Sequence, residues 1–234
     1  MKKTIKKTKI PKKTKVILEL AIKNALSIAF TEKKILGDYY AEENLRYTVM
    51  TEISKVSHFG VFPNSNDHVH HLCFQKHYGH IHHDDSNSKL IPDIVSLRSL
   101  EKRDGYSVNC PLVIELKKDG KITASKKIRT EDLHQRIKKL GSSIEADLLK
   151  NRIYLTKGND THTFEYGVVI NLVSEYTENN LIKLEKMLIR QQKEFKKIKS
   201  TDSHKNLLFA WFNPFIDKPE LLWLNQRETI SLKK

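Results

Sequence analysis

The run Pro111-Leu112-Val113-Ile114-Glu115-Leu116-Lys117 constrains this chain more than any other segment. It is short, apolar and bounded by polar residues, which predicts a buried strand. Side chains alternate across a strand, so Leu112, Ile114 and Leu116 point one way while Val113, Glu115 and Lys117 point the other. A carboxylate and an amine therefore share one face at the strand's C-terminal end. Pro92-Asp93 lies 22 positions before Glu115, within the run Ile91-Pro92-Asp93-Ile94-Val95-Ser96-Leu97. With that run as the neighbouring strand, Asp93 sits beside the pair, and one cation can bridge Asp93, Glu115 and the carbonyl of Leu116.

An acid two residues before a lysine is a cheap pattern in a chain with 42 Lys and Arg and 28 Asp and Glu, and it occurs four times. Glu32-Lys33-Lys34 and Glu194-Phe195-Lys196 fall in charged, helix-like stretches, and Asp119-Gly120-Lys121 falls in a turn. Only Glu115-Leu116-Lys117 follows a buried strand. The competing interpretation is a solvated Glu–Lys pair on an edge strand.

With 234 residues, the chain is long enough for one well-buried α/β core over residues 16–234, centred on about 41–212. Residues 1–15 hold eight lysines and no acid, leaving +6 of the +14 net charge on the remainder. Such a tail is expected to be disordered. The charge implies a polyanionic partner, of which nucleic acid is the commonest, although lysine-rich surfaces also serve solubility alone. The chain has neither a long apolar span nor the apolar segment and cleavage site of a signal peptide, which predicts a cytoplasmic protein with no membrane partner. Cys73 and Cys110 offer no disulfide framework and fit a reducing compartment.

Helical spacing of Ile17, Leu20, Ala21, Ala25 and Ile28 predicts a helix over 16–36, stopped by Gly37. A second helix over 41–56 carries Leu45, Val49, Ile53 and Val56 on its buried stripe. Glu42 and Glu52 fall on that stripe, whereas Glu43 points away. A carboxylate facing a core needs a partner or a cation unless it snorkels from the stripe's edge. Strands are predicted over 70–76, 91–97 and 112–117, with 98–109 as a hairpin-like connection. A basic loop with Lys118, Lys121, Lys126, Lys127 and Arg129 leads into one helix over 131–151, whose stripe is Leu133, Ile137, Leu140, Ile144 and Leu148. Gly141-Ser142-Ser143 is a candidate bend in it. A strand over 164–173, a helix over 178–199 and a strand over 207–212 complete the chain. Three consecutive strands followed by alternating helices and strands imply a mixed sheet with helices on both faces.

These residues resemble the PD-(D/E)XK nuclease superfamily, which has the restriction-endonuclease-like fold. The resemblance rests on Pro92-Asp93, Glu115-Leu116-Lys117, the preceding Leu112-Val113-Ile114, and the helix, three strands, helix, strand order over about 41–173. It implies a Mg²⁺-dependent DNA endonuclease, with Mn²⁺ as a substitute. Asp93, Glu115 and the Leu116 carbonyl would bind the metal, and Lys117 would position or activate water. It also implies an acid from the first core helix, for which Glu52 and Glu42 are the candidates, and a polar residue on the helix after the lysine strand, for which Gln135 is the match beside His134. Double-stranded DNA is the implied substrate. Members of the group often act as homodimers or beside a partner such as an ATPase or a methyltransferase, in restriction, antiphage defence or mobile-element processing. Lys118, Lys121, Lys126, Lys127 and Arg129 would hold the DNA backbone through phosphate contacts.

Eight of the eleven histidines (His58, His68, His70, His71, His77, His80, His82 and His83) crowd into 26 residues. His70 with Cys73, and His80 with His82, have the spacing of zinc ligand pairs, but a single cysteine is a poor structural zinc set. A polar strand and loop near the substrate is the favoured reading over zinc. Two alternatives to the enzyme remain: a catalytically inactive nucleic-acid-binding subunit of the same fold, and a zinc-stabilised interaction module using the histidines.

Overall fold

The fold was analysed in a computed structural model, which describes residues 12–55, 69–74, 92–102, 105–122, 133–156, 164–173, 176–199, 205–225, 230 and 232. Its elements in chain order are α1 (Lys12–Leu36), a 3-10 turn (Gly37–Tyr39), α2 (Glu42–Ser54), β1 (Val69–Phe74), β2 (Ile94–Lys102), β3 (Gly105–Lys118), α3 (Leu133–Leu140), α4 (Ile144–Thr156), β4 (Phe164–Leu172), α5 (Glu178–Lys199), β5 (Asn206–Asn213) and β6 (Lys218–Trp223).

The strands form one mixed sheet in the order β1-β2-β3-β4-β5-β6. β1-β2 and β2-β3 pair antiparallel, β3-β4 and β4-β5 pair in parallel, and β6 returns antiparallel on β5. Parallel strands need helical crossovers, here α3–α4 and α5 on one face; α1 and α2 cover the other, so the central strands are apolar throughout. Accordingly, every residue of β5 is buried, as are all of β4 except Glu165.

The predicted alternation in β3 assigns the two faces. Leu112, Ile114 and Leu116 join Tyr166, Val168, Ile170, Leu208 and Ala210 beneath α1 and α2. Val113 joins Val169, Phe209 and Trp211 beneath α3, α4 and α5. α1 buries Leu18, Ile22, Ala25, Leu26, Ala29 and Phe30 at helical spacing. It is therefore part of the core, which extends before residue 41. Gly37, at φ +57, ends α1 in the left-handed conformation that glycine adopts without penalty.

Several boundaries differ from the sequence expectation. α1 begins at Lys12, so its first turn takes in Lys12, Lys13 and Lys15 from the lysine-rich tail. Most of the 98–109 connection is paired strand, because β2 and β3 continue to Lys102↔Gly105. The single helix over 131–151 is two helices. Gly141 takes φ +57, which closes α3, and Ser143 Oγ accepts from the Ala146 N–H to open α4. β6 lies beyond the last strand expected from the sequence, and it begins with Lys218-Pro219. Proline is tolerated there because β6 is an edge strand.

Gly167 in β4 lets α4 lie close on the sheet: a Cβ there would sit 2.7 Å from Asn151 Oδ1 and 3.0 Å from Leu155 Cδ1. Gly167→Ala is expected to lower stability by about 1–3 kcal/mol through overpacking. Urea unfolding measures it, and an unchanged midpoint would show that α4 has room to shift.

Candidate active site at the end of the third strand

Asp93 is placed by the end of a ladder. β2 begins at Ile94, opposite Ile114, and the Asp93 N–H donates to the Ile114 carbonyl at 3.1 Å. One step further along β3 there is no strand to receive the Leu116 N–H. Asp93 Oδ2 receives it instead, at 2.8 Å. The N–H and C=O of one strand residue point to the same side, so the Leu116 carbonyl faces this edge as well. Asp93 Oδ1 accepts from Arg46 Nη2 of α2 at 3.0 Å, and Arg46 also bonds Glu43 at 2.7 Å. Asp93 is only 7% exposed.

Glu115 points from β3 towards α4 and is buried. Its Oε1 accepts from the Tyr154 hydroxyl at 2.8 Å and its Oε2 from Lys150 Nζ at 3.2 Å. Lys150 Nζ also lies 2.8 Å from Asp147 Oδ1, and Lys117 Nζ lies 3.8 Å from Asp147 Oδ2. Three carboxylates and three cations thus share this strand end: Asp93, Glu115 and Asp147 with Arg46, Lys117 and Lys150.

Burial dominates the electrostatics of this group. It pushes the Glu115 carboxyl up to about 8; Lys150 pulls the other way, and Asp147 and Asp93 add to the rise. Asp147 is raised by the same cause against the pull of Lys150 and Lys117. Burial alone would lower Lys150, but Glu115 and Asp147 outweigh it and raise the amine. The Tyr154 hydroxyl is held well above its ordinary range, first by burial and then by Glu115, so it stays a donor.

The other expected residues are dispersed. The carboxylate of Glu42 accepts the Lys118 N–H at 3.3 Å, the next amide along the edge that Asp93 caps. Glu52 is buried on α2 but is ion-paired with Lys55 at 2.5 Å. The contact from α2 to Asp93 is made by a cation, Arg46, rather than by an acid. Gln135 is exposed on α3. Lys118 Nζ bonds the Tyr40 carbonyl, and Lys121 is exposed and bridges to Ser143. Lys126, Lys127 and Arg129 lie outside the described residues. So do His58, His68, His77, His80, His82 and His83, while His70, His71 and Cys73 fall in β1.

Arg46, Asp147, Lys150 and Tyr154 are site residues that the sequence did not point to; the last three lie together on α4. These three sit at i, i+3 and i+7 and so line one helix face. The expected stripe residues Ile144 and Leu148 are buried, but so is nearly every other residue of α4, so no polar stripe singles these three out in the sequence.

No family model matches this sequence, and neither a curated protein nor a solved structure matches it.

Lys150→Met tests the ionic arrangement. Glu115 has a raised folded pKa, so its burial costs stability increasingly as pH rises from its ordinary value near 4.5 towards 8. Lys150 offsets that cost only where the carboxyls ionise. The variant is expected to lose about 3–5 kcal/mol at pH 8 and clearly less at pH 5. Denaturant unfolding at both values reads this, and an equal loss at both would contradict the coupling.

Proposed function

We propose that this chain is a Mg²⁺-dependent endonuclease that hydrolyses phosphodiester bonds in double-stranded DNA, on a restriction-endonuclease-like fold. The observation that carries the reading is the Asp93 carboxylate bonded to the Leu116 N–H. That bond gathers the Pro-Asp and Glu-x-Lys residues at one strand end. The order α2, β1, β2, β3, α4, β4 supports the same reading, with α3 inserted before α4.

The donor set fits a hard divalent cation. Asp93 and Glu115 offer carboxylate oxygens, the Leu116 carbonyl faces the same edge, and Mg²⁺ takes oxygen ligands while keeping several waters. The amines already present leave the carboxylates incompletely satisfied. Glu115 is held well above its ordinary range, and Asp147 Oδ2 accepts no hydrogen bond. Asp93, Glu115 and the Leu116 carbonyl would hold the ion, in competition with Arg46 and Lys150. When bound, a metal supplies a more acidic water and neutralises charge on the phosphate. Lys117 places a positive charge beside the phosphate and donates to the attacking water, and Asp147 orients that amine. Tyr154 fixes one oxygen of Glu115. The net charge of +14 supports a polyanionic substrate. Restriction, antiphage defence and mobile-element processing are the settings such chemistry serves, alone or within a larger complex.

A nucleic-acid-binding subunit without chemistry is the second reading. In its favour, Arg46 and Lys150 already pair Asp93 and Glu115. Among the described residues, no three His, Cys, Asp or Glu side chains form a group that could hold a metal ion.

Supercoiled plasmid with Mg²⁺ separates the two. Wild type is expected to nick or linearise it, EDTA to stop the reaction, and Asp93→Ala and Lys117→Ala each to slow it by about a hundredfold or more. Equal cutting by both variants refutes the assignment. Binding without cutting, with every divalent metal, supports the second reading.

A further inference from the structure

On the opposite face of the sheet from Lys117, the same strand end borders a cleft of about 320 Å³. The end of α1 supplies Phe30, Lys33 and Lys34, the following turn supplies Asp38, and the end of β3 supplies Lys118, followed by Asp119. Three ammonium groups against two carboxylates leave the lining positive.

The lysines differ in how they are held. Lys33 is 7% exposed and pairs with Asp119 at 2.5 Å. Asp119 is itself half-exposed, so solvent weakens its hold on a nearly buried ammonium. Lys118 Nζ bonds the Tyr40 carbonyl, and an ammonium has three donors, so donors remain beyond this bond. Lys34 lies over the Phe30 ring, 4.4 Å from its centre, and 3.5 Å from Asp217, with both partners of that ion pair largely exposed. Phe30 in turn stacks on Phe212, with ring centres 3.6 Å apart.

Asp119 takes φ +55, an uncommon conformation for a non-glycine residue. It is held there because its N–H donates to the Leu172 carbonyl and the Gly120 N–H donates to Asn171 Oδ1. Lys118 and Asp119 follow directly after Lys117, with Lys117 and Lys118 on opposite faces of the sheet.

We infer that this cleft binds a backbone phosphate of the nucleic acid through Lys34, Lys118 and Lys33. The bound strand then crosses the end of β3, one phosphate near Lys117 and another in the cleft. The crossing rests on the endonuclease reading, whereas phosphate capture by the cleft does not. Inorganic phosphate shares the chemistry, and the experiment separates it from a nucleic-acid backbone.

The test is fluorescence anisotropy with a labelled DNA duplex in EDTA, over a salt series. Wild type is compared with Lys34→Gln, Lys118→Gln, the double variant, and Lys186→Gln on an exposed part of α5 as a charge control. Each cleft variant is expected to weaken binding by roughly three- to tenfold, and the double variant to flatten the slope of log K against log salt by about two. Lys186→Gln is expected to leave the slope unchanged. Millimolar inorganic phosphate should compete no better than chloride at equal ionic strength; strong competition would assign the cleft to free phosphate and overturn the inference. Unchanged slopes in the cleft variants, an equal loss in the control, or no DNA binding by wild type would also overturn it. Lys34 is largely exposed, so Lys34→Gln alone carries the test should Lys118→Gln unfold. Loss of binding in a protein that cuts nothing sustains the cleft and refutes the enzyme, whereas cutting with unchanged binding does the reverse.

Discussion

Lys150 Nζ lies 3.2 Å from Glu115 Oε2 and 2.8 Å from Asp147 Oδ1, and this bridge joins α4 to β3. Glu115 and Asp147 are almost fully removed from water, where an unpaired carboxylate is strongly unfavourable. The partly exposed ammonium of Lys150 compensates both carboxylates where α4 meets the sheet. Without it, α4 could not present Asp147 and Tyr154 to Glu115 at this depth. The same bridge defines the chemical question at the site, because an amine occupies the neighbourhood in which a divalent cation would serve the same carboxylates.

A second ionic layer holds α4 from its other side. Glu145 Oε1 accepts from Arg136 of α3 at 3.0 Å, Arg190 of α5 at 2.6 Å and Gln191 at 3.2 Å. Arg152 bonds Glu194 at 2.5 Å, with Arg136 3.7 Å from the same carboxylate. Residues two apart on a helix point in nearly opposite directions, so Glu145 and Asp147 anchor opposite sides of α4. Pairs of this kind add less to stability than to uniqueness of placement. Here they fix the rotation of α4, on which the contact of Lys150 with Glu115 depends.

This double anchoring also explains what the sequence could reveal. β3 was legible because alternation along Leu112 to Lys117 is a local property, and the two-faced sheet followed from element order. Asp93 was legible only in combination with Glu115 and Lys117, because Pro-Asp alone is an ordinary turn or strand-start pair. α4 was not: of residues 144–155 only Lys150 escapes full burial, so no polar face marks the helix's orientation. Apart from the local Lys150–Asp147 pair, its charges meet distant partners, as Glu145 meets Arg136 and Gln191 and Lys150 meets Glu115. Arg46 was hidden for a related reason: periodicity on α2 drew attention to Glu42 and Glu52, while the contact to Asp93 came from a long cation at the stripe's edge.

The central claim is that the carboxylates at the end of β3 take up a divalent cation. Calorimetric titration of Mn²⁺ into the full chain, purified without a histidine tag, tests this most directly, with Asp93→Asn and Glu115→Gln as comparisons. Saturable binding to wild type that disappears in both variants, each still folded, is the expected result. Binding to wild type indistinguishable from that of the variants would contradict it.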